Sequence, residues 1–463
     1  MVALLVVLAL AGSTGVGACA ADAAAPAPGF TKRVLATDLG NPYEIVMGPD
    51  GMVWATEKSG KRIIRVDPAT AAVHVALELP DANASPNGQD GVLGLAMHPD
   101  LLRGVGRDHV YVSYSYLAAA QPRLKIVRYT YDGATQRLGD PVELLSGLPS
   151  GIDHQAARLR FGPDRKLYYA IGDQGANQFE TKCRPIEAQR LPTAAEVAAR
   201  DWTAYQGKTL RLELDGSIPA DNPVLNGVTS HVFSYGHRNG QGLDFGEGDR
   251  LYQSEQGPKT DDEINIIRPG GNYGWPHVAG YRDDKAYTYA NWSASDPIPC
   301  ADLDFSDLDV PDSVPQRQES EWPGELVEPI RTFDTVETGH NFADPRCAQD
   351  RQFYICWPTL AISSLSYYPA RPEGIPGWSD SLLITSLKDG SLQRLTLTPD
   401  GTGIDEVTPL FKDRQRYRDT AFSADGRSIF VATDLRGVVR DADGAPTSTL
   451  TDRGAIIEFR WHP

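Results

Sequence analysis

The sequence lacks the short motifs that mark many common enzyme classes. It has no HExxH, no GxSxG, no P-loop and no EF-hand loop. The usual signatures of zinc proteases, triad hydrolases and phosphate-loop enzymes are therefore missing from it. It has no CxxC, which argues against structural zinc and thioredoxin-type chemistry. The stretch GVGACA fits a dinucleotide fingerprint only formally, because it lies in the apolar N-terminal stretch with no strand before it.

The sequence also has fewer basic than acidic residues. Lys and Arg number 44 against 61 Asp and Glu, which gives a formal net charge of −17. A surface this acidic repels phosphate backbones and anionic lipid headgroups, so we expect no nucleic-acid partner. No segment after the first residues has an apolar run long enough to span a membrane.

Residues 1–28 predict an export signal followed by a low-complexity tether. The stretch MVALLVVLALAGSTGVGACA is apolar and then rich in small residues, and ADAAAPAPG follows it. Two interpretations of Cys19 stay open: VGAC resembles a bacterial lipobox, which would make Cys19 a lipid anchor, and ordinary cleavage near ACA-A would not. Either way we expect an exported protein, periplasmic or secreted, with a lipid-anchored form at the cell surface as one alternative.

Export places the remaining cysteines in an oxidising compartment. Cys347 and Cys356 are close enough in sequence to bridge a hairpin-like loop. Cys183 and Cys300 are left as a candidate second pair, although their spacing alone does not establish a bond.

A repeat runs through residues 29–463. Apolar alternation, a Pro-Asp or Asp-Gly turn and a second short β-run recur in stretches such as YEIVMGPDGMVWATE, ARLRFGPDRKLYYAIGD and DTAFSADGRSIFVATD. Six such units predict one all-β domain, a six-bladed β-propeller with four-stranded antiparallel blades and loop insertions. A pair of generic β-sandwiches is the alternative. The one helical signal is LPTAAEVAARDW, where Thr193 would cap a short helix.

Several polar residues fall next to these repeat strands. His154 follows Asp153 and precedes a strand, and Asp173 follows the next one; a carboxylate beside an imidazole is a common way to poise a base near neutral pH. Cations recur at loop positions of several blades and suggest a central anionic ligand, since guanidinium matches carboxylate well. These cations are Arg238, Lys388, Arg416 and Arg418.

The stretch SEQGPKTDDEINIIRPGGNYGWPHVAGYRDD combines carboxylates with turns rich in Gly and Pro. Carboxylates and freed main-chain carbonyls are the hard oxygen ligands that calcium prefers. The segment therefore favours a calcium site over a merely solvated acidic loop.

Together these stretches resemble the soluble quinoprotein glucose dehydrogenases of the glucose/sorbosone dehydrogenase family. The motifs that carry the resemblance are DHQ with IGDQG, GHRN.QGL, SEQGP..DDEIN, GGNYGWP.VAGY.DD, YICWPT and RYRD, and they span nearly the whole chain after residue 28. The resemblance implies six-bladed enzymes that use pyrroloquinoline quinone (PQQ) and calcium to oxidise an aldose, such as glucose, at C1 to the lactone. It also implies an external electron acceptor and a homodimer.

The resemblance further implies a role for each matching residue. His154 would be the general base and Asp173 would orient its ring, with Arg238 as the catalytic cation. Residues implied to contact the sugar are Gln89, Asp153, Gln178, Tyr354 and Trp357. Residues implied to hold PQQ are Gln89, Arg238, Asn239, Tyr354, Thr359, Lys388, Arg416 and Arg418. Implied calcium ligands are Gly257 and Pro258 at the cofactor and Glu263, Tyr273, Ala279, Tyr281, Asp283 and Glu319 at a structural site.

Two other hypotheses compete with this one. A calcium-dependent propeller lactonase or hydrolase would polarise an ester and need no cationic cluster. A noncatalytic binding module would keep the propeller but lose the histidine and the cations, all of which this sequence retains.

Overall fold

The structure is a computed structural model that describes residues 27–348 and 352–463. Its regular elements are mostly short strands, as expected from runs of β-branched and aromatic residues punctuated by Gly and Pro. The strands form six four-stranded antiparallel sheets, which are the six blades of a β-propeller. The predicted fold class is therefore confirmed.

The first two blades use consecutive strands. The first strand of the described ranges, β1 (Phe30–Ala36), belongs to the last blade. Blade 1 contains β2 (Pro42–Met47), β3 (Val53–Glu57), β4 (Arg62–Val66) and β5 (Val73–Glu78). Blade 2 contains β6 (Val92–Met97), β7 (His109–Ala118), β8 (Gln121–Asp132) and β9 (Arg137–Pro149).

Blades 3 and 4 carry insertions. Blade 3 contains β10 (Ala156–Phe161), β11 (Leu167–Ile171) and β12 (Lys208–Leu212), then the inserted pair β13 (Val224–Leu225) and β14 (Val228–Thr229), and finally its fourth strand β15 (Val232–Tyr235). Blade 4 contains β16 (Gly240–Phe245), β17 (Leu251–Glu255) and β18 (Asp262–Ile267), then the inserted pair β19 (Tyr289–Ala290) and β20 (Gln316–Arg317), and finally its fourth strand β21 (Arg331–Phe333).

Blades 5 and 6 complete the ring. Blade 5 contains β22 (Ile362–Tyr368), β23 (Ser381–Ser386), β24 (Leu392–Leu397) and β25 (Ile404–Leu410). Blade 6 contains β26 (Tyr417–Phe422) and β27 (Ser428–Thr433), followed by the inserted pair β28 (Val439–Arg440) and β29 (Pro446–Thr447) and by β30 (Ile456–Trp461). The strand β1 pairs with β30 along the outer edge of blade 6, so the first and last strands of the described ranges close the ring.

Helices are short and lie in the connections. The first, α1 (Ala194–Ala199), begins at Thr193, whose hydroxyl accepts from Glu196 N while the Glu196 carboxylate accepts from Thr193 N. This capping box confirms the predicted helix. The second, α2 (Phe353–Cys356), lies between β21 and β22. Single 3₁₀ turns are Phe179–Thr181, Thr203–Tyr205, Glu247–Asp249, Trp292–Ala294, Cys300–Asp302, Glu319–Glu321 and Pro345–Cys347.

Two disulfides tie the insertions. Cys183–Cys300 joins the β11–β12 connection of blade 3 to the insertion of blade 4. Cys347–Cys356 closes the connection that leads into blade 5. Both predicted pairs are thus present. None of the helices in the described ranges is long and apolar enough to cross a membrane, and the predicted export segment with Cys19 lies outside the described residues.

The innermost strands β2, β6, β10, β16, β22 and β26 contact one another around the central axis. In every blade the register between the inner strand and its neighbour shifts near the beginning of the inner strand. Such bulges bend a strand and redirect its side chains. Apolar cores fill the spaces between adjacent blades, for example Leu159 and Tyr169 between blades 2 and 3.

The Arg158 guanidinium lies at this axis and links five blades. From β10 in blade 3 it donates to the main-chain oxygens of Tyr43 (3.2 Å), Gln241 (2.7 Å) and Ser363 (2.6 Å), in blades 1, 4 and 5. Its Nη1 is 3.1 Å from Oδ2 of Asp419 in blade 6. These contacts place one buried cation at the meeting point of most inner strands.

We expect Arg158→Met to lower the free energy of unfolding by about 3–5 kcal/mol, because it leaves Asp419 buried without its partner. Urea unfolding monitored by tryptophan fluorescence measures the change. Arg453→Met is the matched control: its ion pair with Asp38 has both side chains 64% exposed, and such pairs contribute about 0–1 kcal/mol. Equal losses in the two variants would contradict the role assigned to Arg158.

Candidate active site

The candidate residues collect at one end of the propeller. Some of them lie at or just before the beginning of an inner strand, and others lie just after the second strand of a blade. Because the first and second strands pair antiparallel, the beginning of one lies beside the end of the other. The residues at the beginnings of inner strands are Gln89, His154, Arg238, Asn239, Thr359, Arg416 and Arg418. The residues after second strands are Asp173 and Lys388.

His154 and Asp173 form a buried pair. Nδ1 of His154 lies 2.7 Å from Oδ1 of Asp173, and the two side chains are 7% and 1% exposed. Burial alone would raise the pKa of Asp173, but the nearby His154 and Arg238 outweigh it and lower that pKa. Since an ionised carboxylate only accepts hydrogen bonds, Nδ1 is the donor and Nε2 is left to accept a proton.

The backbone around this pair is unusually constrained. His154 has φ of 44°, in the left-handed region that a non-glycine residue seldom adopts. Such a conformation costs about 1–3 kcal/mol and concentrates at functional sites. Gly172 packs against the His154 carbonyl so closely that a Cβ there would collide with it. Glycine at that position is what allows Asp173 to reach His154.

Asp153 organises a polar cluster beside the histidine. Its carboxylate accepts hydrogen bonds from the side-chain amides of Gln89 and of Gln178, the latter at 2.9 Å. Its Oδ2 also lies 3.8 Å from Nε2 of His154. The structure thus brings together three polar residues from blades 2 and 3 next to the free ring nitrogen. Such an arrangement of donors and acceptors suits a polyhydroxylated ligand.

Arg238 and Asn239 come from blade 4. Arg238 Nη1 donates to the Gln256 main-chain oxygen at 3.1 Å, and Asn239 Nδ2 donates to Gln256 Oε1 at 3.1 Å. The main-chain carbonyl of Arg238 accepts a hydrogen bond from Asp173 N at 2.9 Å, which links Arg238 to the histidine–aspartate pair. Its Nε is buried without a partner among the described residues, so the guanidinium retains a free donor.

A cavity of about 570 Å³ opens beside these residues. Its lining includes Gln178, Arg238, Pro258 and Trp275, together with other residues between β18 and β21 such as Phe305. His154, Lys388, Arg416 and Arg418 do not line this cavity. Gln178, which donates to Asp153, and Trp275, which donates to Asp173, do line it. The cavity is large enough for a small-molecule ligand.

Lys388 is the buried cation of blade 5. Its Nζ donates to the main-chain oxygens of Tyr354 (2.9 Å) and Trp357 (3.1 Å) and to the hydroxyl of Thr359. Burial, reinforced by the neighbouring Arg440 charge, lowers the pKa of Lys388 to about 7. Tyr354, Trp357 and Thr359 therefore lie together around Lys388, within and after the loop closed by Cys347–Cys356.

Arg416 and Arg418 converge on one carboxylate of blade 6. Arg416 Nε is 3.0 Å from Oδ2 of Asp434, and Arg418 Nη2 is 2.8 Å from the same oxygen. Burial lowers the pKa of nearby Lys58 to about 8, and the Asp434 charge opposes that shift. Asp434 thus pairs with two arginines, so this group of three side chains carries one net positive charge.

The acidic segment of blade 4 folds around its own turns. Glu263 accepts from Gly280 N at 2.6 Å, while Glu319 accepts from Ala279 N at 3.0 Å and Asp283 N at 3.2 Å. Burial raises the pKa of Glu319 to about 7 and that of Glu263 well above its usual range. A nearby cation would stabilise the ionised forms of these buried carboxylates.

The remaining members of the predicted calcium sets take up different positions. The Tyr273 hydroxyl donates to the Ile266 oxygen at 2.7 Å and its ring stacks on His237, so its side chain is not available as a ligand. Tyr281 lies near Glu263 and its pKa is raised by burial. Gly257 donates its N–H to Asp262 at 2.9 Å. Within residues 27–348 and 352–463, no three His, Cys, Asp or Glu side chains group closely enough to hold a metal by themselves.

Sequence reasoning missed several residues of the site, among them Asp434. An acidic residue recurs at or just after the end of the second strand in four blades: Glu57, Asp173, Glu255 and Asp434. Glu255 holds His237 and the Arg238 N–H, as Asp173 holds His154. Alignment of the repeat stretches YAIGD, YQSE and FVATD would have revealed this position. Lys58 and Trp275 carry no such signal in the sequence.

Comparison with known proteins identifies the family. The glucose/sorbosone dehydrogenase family model matches residues 39–297. The chain is 44% identical over 447 residues to quinoprotein glucose dehydrogenase B of Acinetobacter calcoaceticus, covering 95% of this chain and 92% of that protein. It is 27% identical over 422 residues to aldose sugar dehydrogenase YliI of Escherichia coli K12, covering 89% and 91%.

The fold agrees with solved structures. The PQQ-bound aldose sugar dehydrogenase of Streptomyces coelicolor superposes with a TM-score of 0.59 at 24% identity, covering 95% of this chain and 100% of that one. At that identity the superposition supports the propeller architecture only. The family match and the 44% identity carry the assignment: the chain is a dehydrogenase that belongs to the glucose/sorbosone dehydrogenase family.

Proposed function

We propose that this protein is a PQQ- and calcium-dependent dehydrogenase that oxidises an aldose, with glucose as the first candidate, at C1 to the lactone. Electrons then pass to an external acceptor. The observation that carries the proposal is that a buried histidine–aspartate pair and two arginines that share one carboxylate lie at the same end of the propeller. We further propose that residues 1–28 direct export and that residues 29–463 form the catalytic domain.

The residues present fit the cofactor. PQQ is a polycarboxylate quinone, and the excess positive charge around Asp434 together with Lys388 suits its carboxylates. The unpaired Nε of Arg238 supplies a donor for a carbonyl oxygen. The residues that would hold PQQ are Gln89, Arg238, Asn239, Tyr354, Thr359, Lys388, Arg416 and Arg418. When bound, PQQ supplies the hydride acceptor that no amino-acid side chain provides.

The chain's own residues would bind the sugar and move one proton. Nε2 of His154 would take the proton of the C1 hydroxyl as the hydride leaves C1, while Asp173 keeps Nδ1–H fixed and stabilises the charged ring. Asp153 and Gln178 would hydrogen-bond the sugar hydroxyls, with Gln89 beside them. Tyr354 and Trp357 would flank the sugar. Arg238 would stabilise negative charge that develops next to C1.

Calcium would fill two roles. Main-chain oxygens of Gly257 and Pro258 would hold an ion at the cofactor, and Pro258 does line the cavity. The structural site would use Glu263, Tyr273, Ala279, Tyr281, Asp283 and Glu319, with Tyr273 contributing through its main chain because its hydroxyl is engaged elsewhere. Burial raises the pKa values of Glu263 and Glu319 because it disfavours their charged forms, and a divalent cation beside them would stabilise those forms.

The direct test is sugar oxidation by chelator-treated apoprotein with PQQ, calcium, both or neither. We expect dye-linked glucose oxidation only with both, and calcium alone is expected to raise the Tm because it pairs buried carboxylates. A panel of aldoses then ranks the substrates. Lactone hydrolysis with calcium alone, and no spectral change on adding PQQ, would contradict the proposal and favour the lactonase hypothesis.

The general-base role predicts a selective loss. His154→Ala is expected to lower kcat by roughly 10²–10⁴-fold while PQQ binding is retained, because base removal affects proton transfer and leaves the cation cluster intact. Steady-state kinetics and PQQ titration measure the two effects. His74→Ala, an exposed position on β5, is the control and should match the wild type. Near-normal turnover of His154→Ala would rule His154 out as the base.

Lys388 predicts how PQQ affinity depends on pH. Burial lowers the pKa of Lys388 to about 7, and a bound carboxylate would favour the charged form. Binding above pH 7 therefore requires proton uptake, and affinity should fall by up to about tenfold per pH unit above 7. Below pH 7 the lysine is already charged and affinity should be flat.

Lys388→Met should bind PQQ weakly at pH 6 and show little pH dependence between pH 6 and 9. Fluorescence titration of PQQ at each pH gives the Kd. Lys166→Met, which removes a lysine paired with Glu213 on blade 3, serves as the control. The same pH slope in Lys388→Met as in the wild type would exclude Lys388 as its origin.

A further inference from the structure

We propose that Trp275 is a positioning residue for the reaction, because its indole N–H holds the carboxylate that orients His154. Nε1 of Trp275 donates to Oδ2 of Asp173 at 2.9 Å, while His154 takes Oδ1 at 2.7 Å. The inference rests on the proposed function, in which His154 is the base. It adds a third member, from blade 4, to a pair contributed by blade 3.

The two oxygens of Asp173 have different partners. Oδ1 accepts hydrogen bonds from His154 Nδ1 and from Gly175 N, the latter at 2.9 Å. Oδ2 receives Trp275, which is its only donor in the described ranges. A carboxylate held at one oxygen can still rotate about its Cβ–Cγ bond, whereas a donor at each oxygen fixes its plane. The indole therefore sets the direction in which Asp173 presents Oδ1 to the imidazole.

Trp275 is itself held firmly from several sides. Its main-chain N–H donates to the Gly236 oxygen at 3.0 Å, and its main-chain carbonyl accepts from Gln189 Nε2 at 2.8 Å. The ring lies against Tyr287, with centroids 5.9 Å apart, and the Arg238 guanidinium is 5.4 Å from the indole centroid. A rigid donor is what a positioning role requires.

The same indole also lines the cavity. It therefore contacts the three parts that the reaction needs in fixed relation: the base through Asp173, the cation through Arg238, and the substrate space. Loss of the N–H alone should disturb only the first of these. A neutral His154 that is no longer fixed by Asp173 would populate the tautomer with the proton on Nε2, which cannot accept a proton from substrate.

Two variants separate the N–H from the ring. Trp275→Phe removes the N–H and keeps an aromatic ring, and genetically encoded benzothienylalanine at position 275 replaces N–H by sulfur with almost no change of shape. If Trp275→Phe fails to fold, the benzothienylalanine protein still tests the inference. Trp202→Phe is the matched control, since its buried indole loses an equal 2.9 Å bond, to Ser146, away from the site.

The first readout uses apoprotein and needs no activity. Nitrogen-15 NMR of the histidine rings, with His154 assigned through His154→Ala, should report the Nδ1–H tautomer in the wild type and in Trp202→Phe. The fraction with the proton on Nε2 should rise in both position-275 variants. An unchanged tautomer in the benzothienylalanine protein would overturn the inference.

The second readout is steady-state kinetics of the reconstituted enzyme. We expect kcat to fall roughly ten- to hundredfold in both variants, as for other outer partners that orient a functional histidine, with KM changed less than about twofold. A loss confined to KM, or a loss shared by Trp202→Phe, would overturn the inference. A wild type that oxidises no aldose would overturn the proposed function instead, while the NMR result would still decide whether Trp275 orients His154.

Discussion

The Arg158 guanidinium at the propeller axis is the contact on which the rest of the structure depends. A propeller has no central element, so its inner strands must be held by their own ends, and those ends carry main-chain carbonyls that point toward the axis. One cation with several donors satisfies carbonyls from four other blades at once. Asp419 supplies its counter-charge, and burial raises the pKa of nearby Glu44 to about 7 despite the attraction of Arg158.

The bulges at the beginnings of the inner strands follow from the same geometry. Strands that converge on an axis cannot all continue in regular register, and each blade shifts its pairing where the strand approaches the centre. A bulge redirects the side chains beside it. That is where His154, Arg238 and Arg416 lie, so the architecture that closes the ring also directs these candidate site residues toward one end.

Much of this could be predicted from the sequence, and the reason is local repetition. The six turn-and-strand units gave the blade number, and the capping pattern gave α1 at Thr193 because both are encoded within a few residues. Only part of the contact between Arg416, Arg418 and Asp434 could be predicted. Two residues that are two positions apart in a strand share a face, which groups the arginines, but their partner Asp434 follows the next strand. Only the repeat position common to Asp173 and Asp434 could have indicated it.

Other features depend on contacts that are remote in sequence. Trp275 reaches Asp173 across 102 positions of chain, and Arg158 reaches Arg418 across 260. No periodicity or spacing encodes such pairs, since they arise only when two blades have closed around the axis. The disulfide between Cys183 and Cys300 belongs to the same class, which is why the cysteine count alone left its pairing open.

The charge distribution links stability to ligand binding. The protein carries a net charge of −17, yet the end of the propeller that bears His154 gathers Lys58, Lys388, Arg416 and Arg418, and the two arginines share the carboxylate of Asp434. Burial lowers the pKa of both lysines, because removing a cation from water carries a free-energy penalty. An anionic ligand reverses that penalty. The acidic exterior meanwhile adds long-range attraction that helps to keep these cations charged, so a molecule that is acidic overall can still hold a group of cations that favours an anionic ligand.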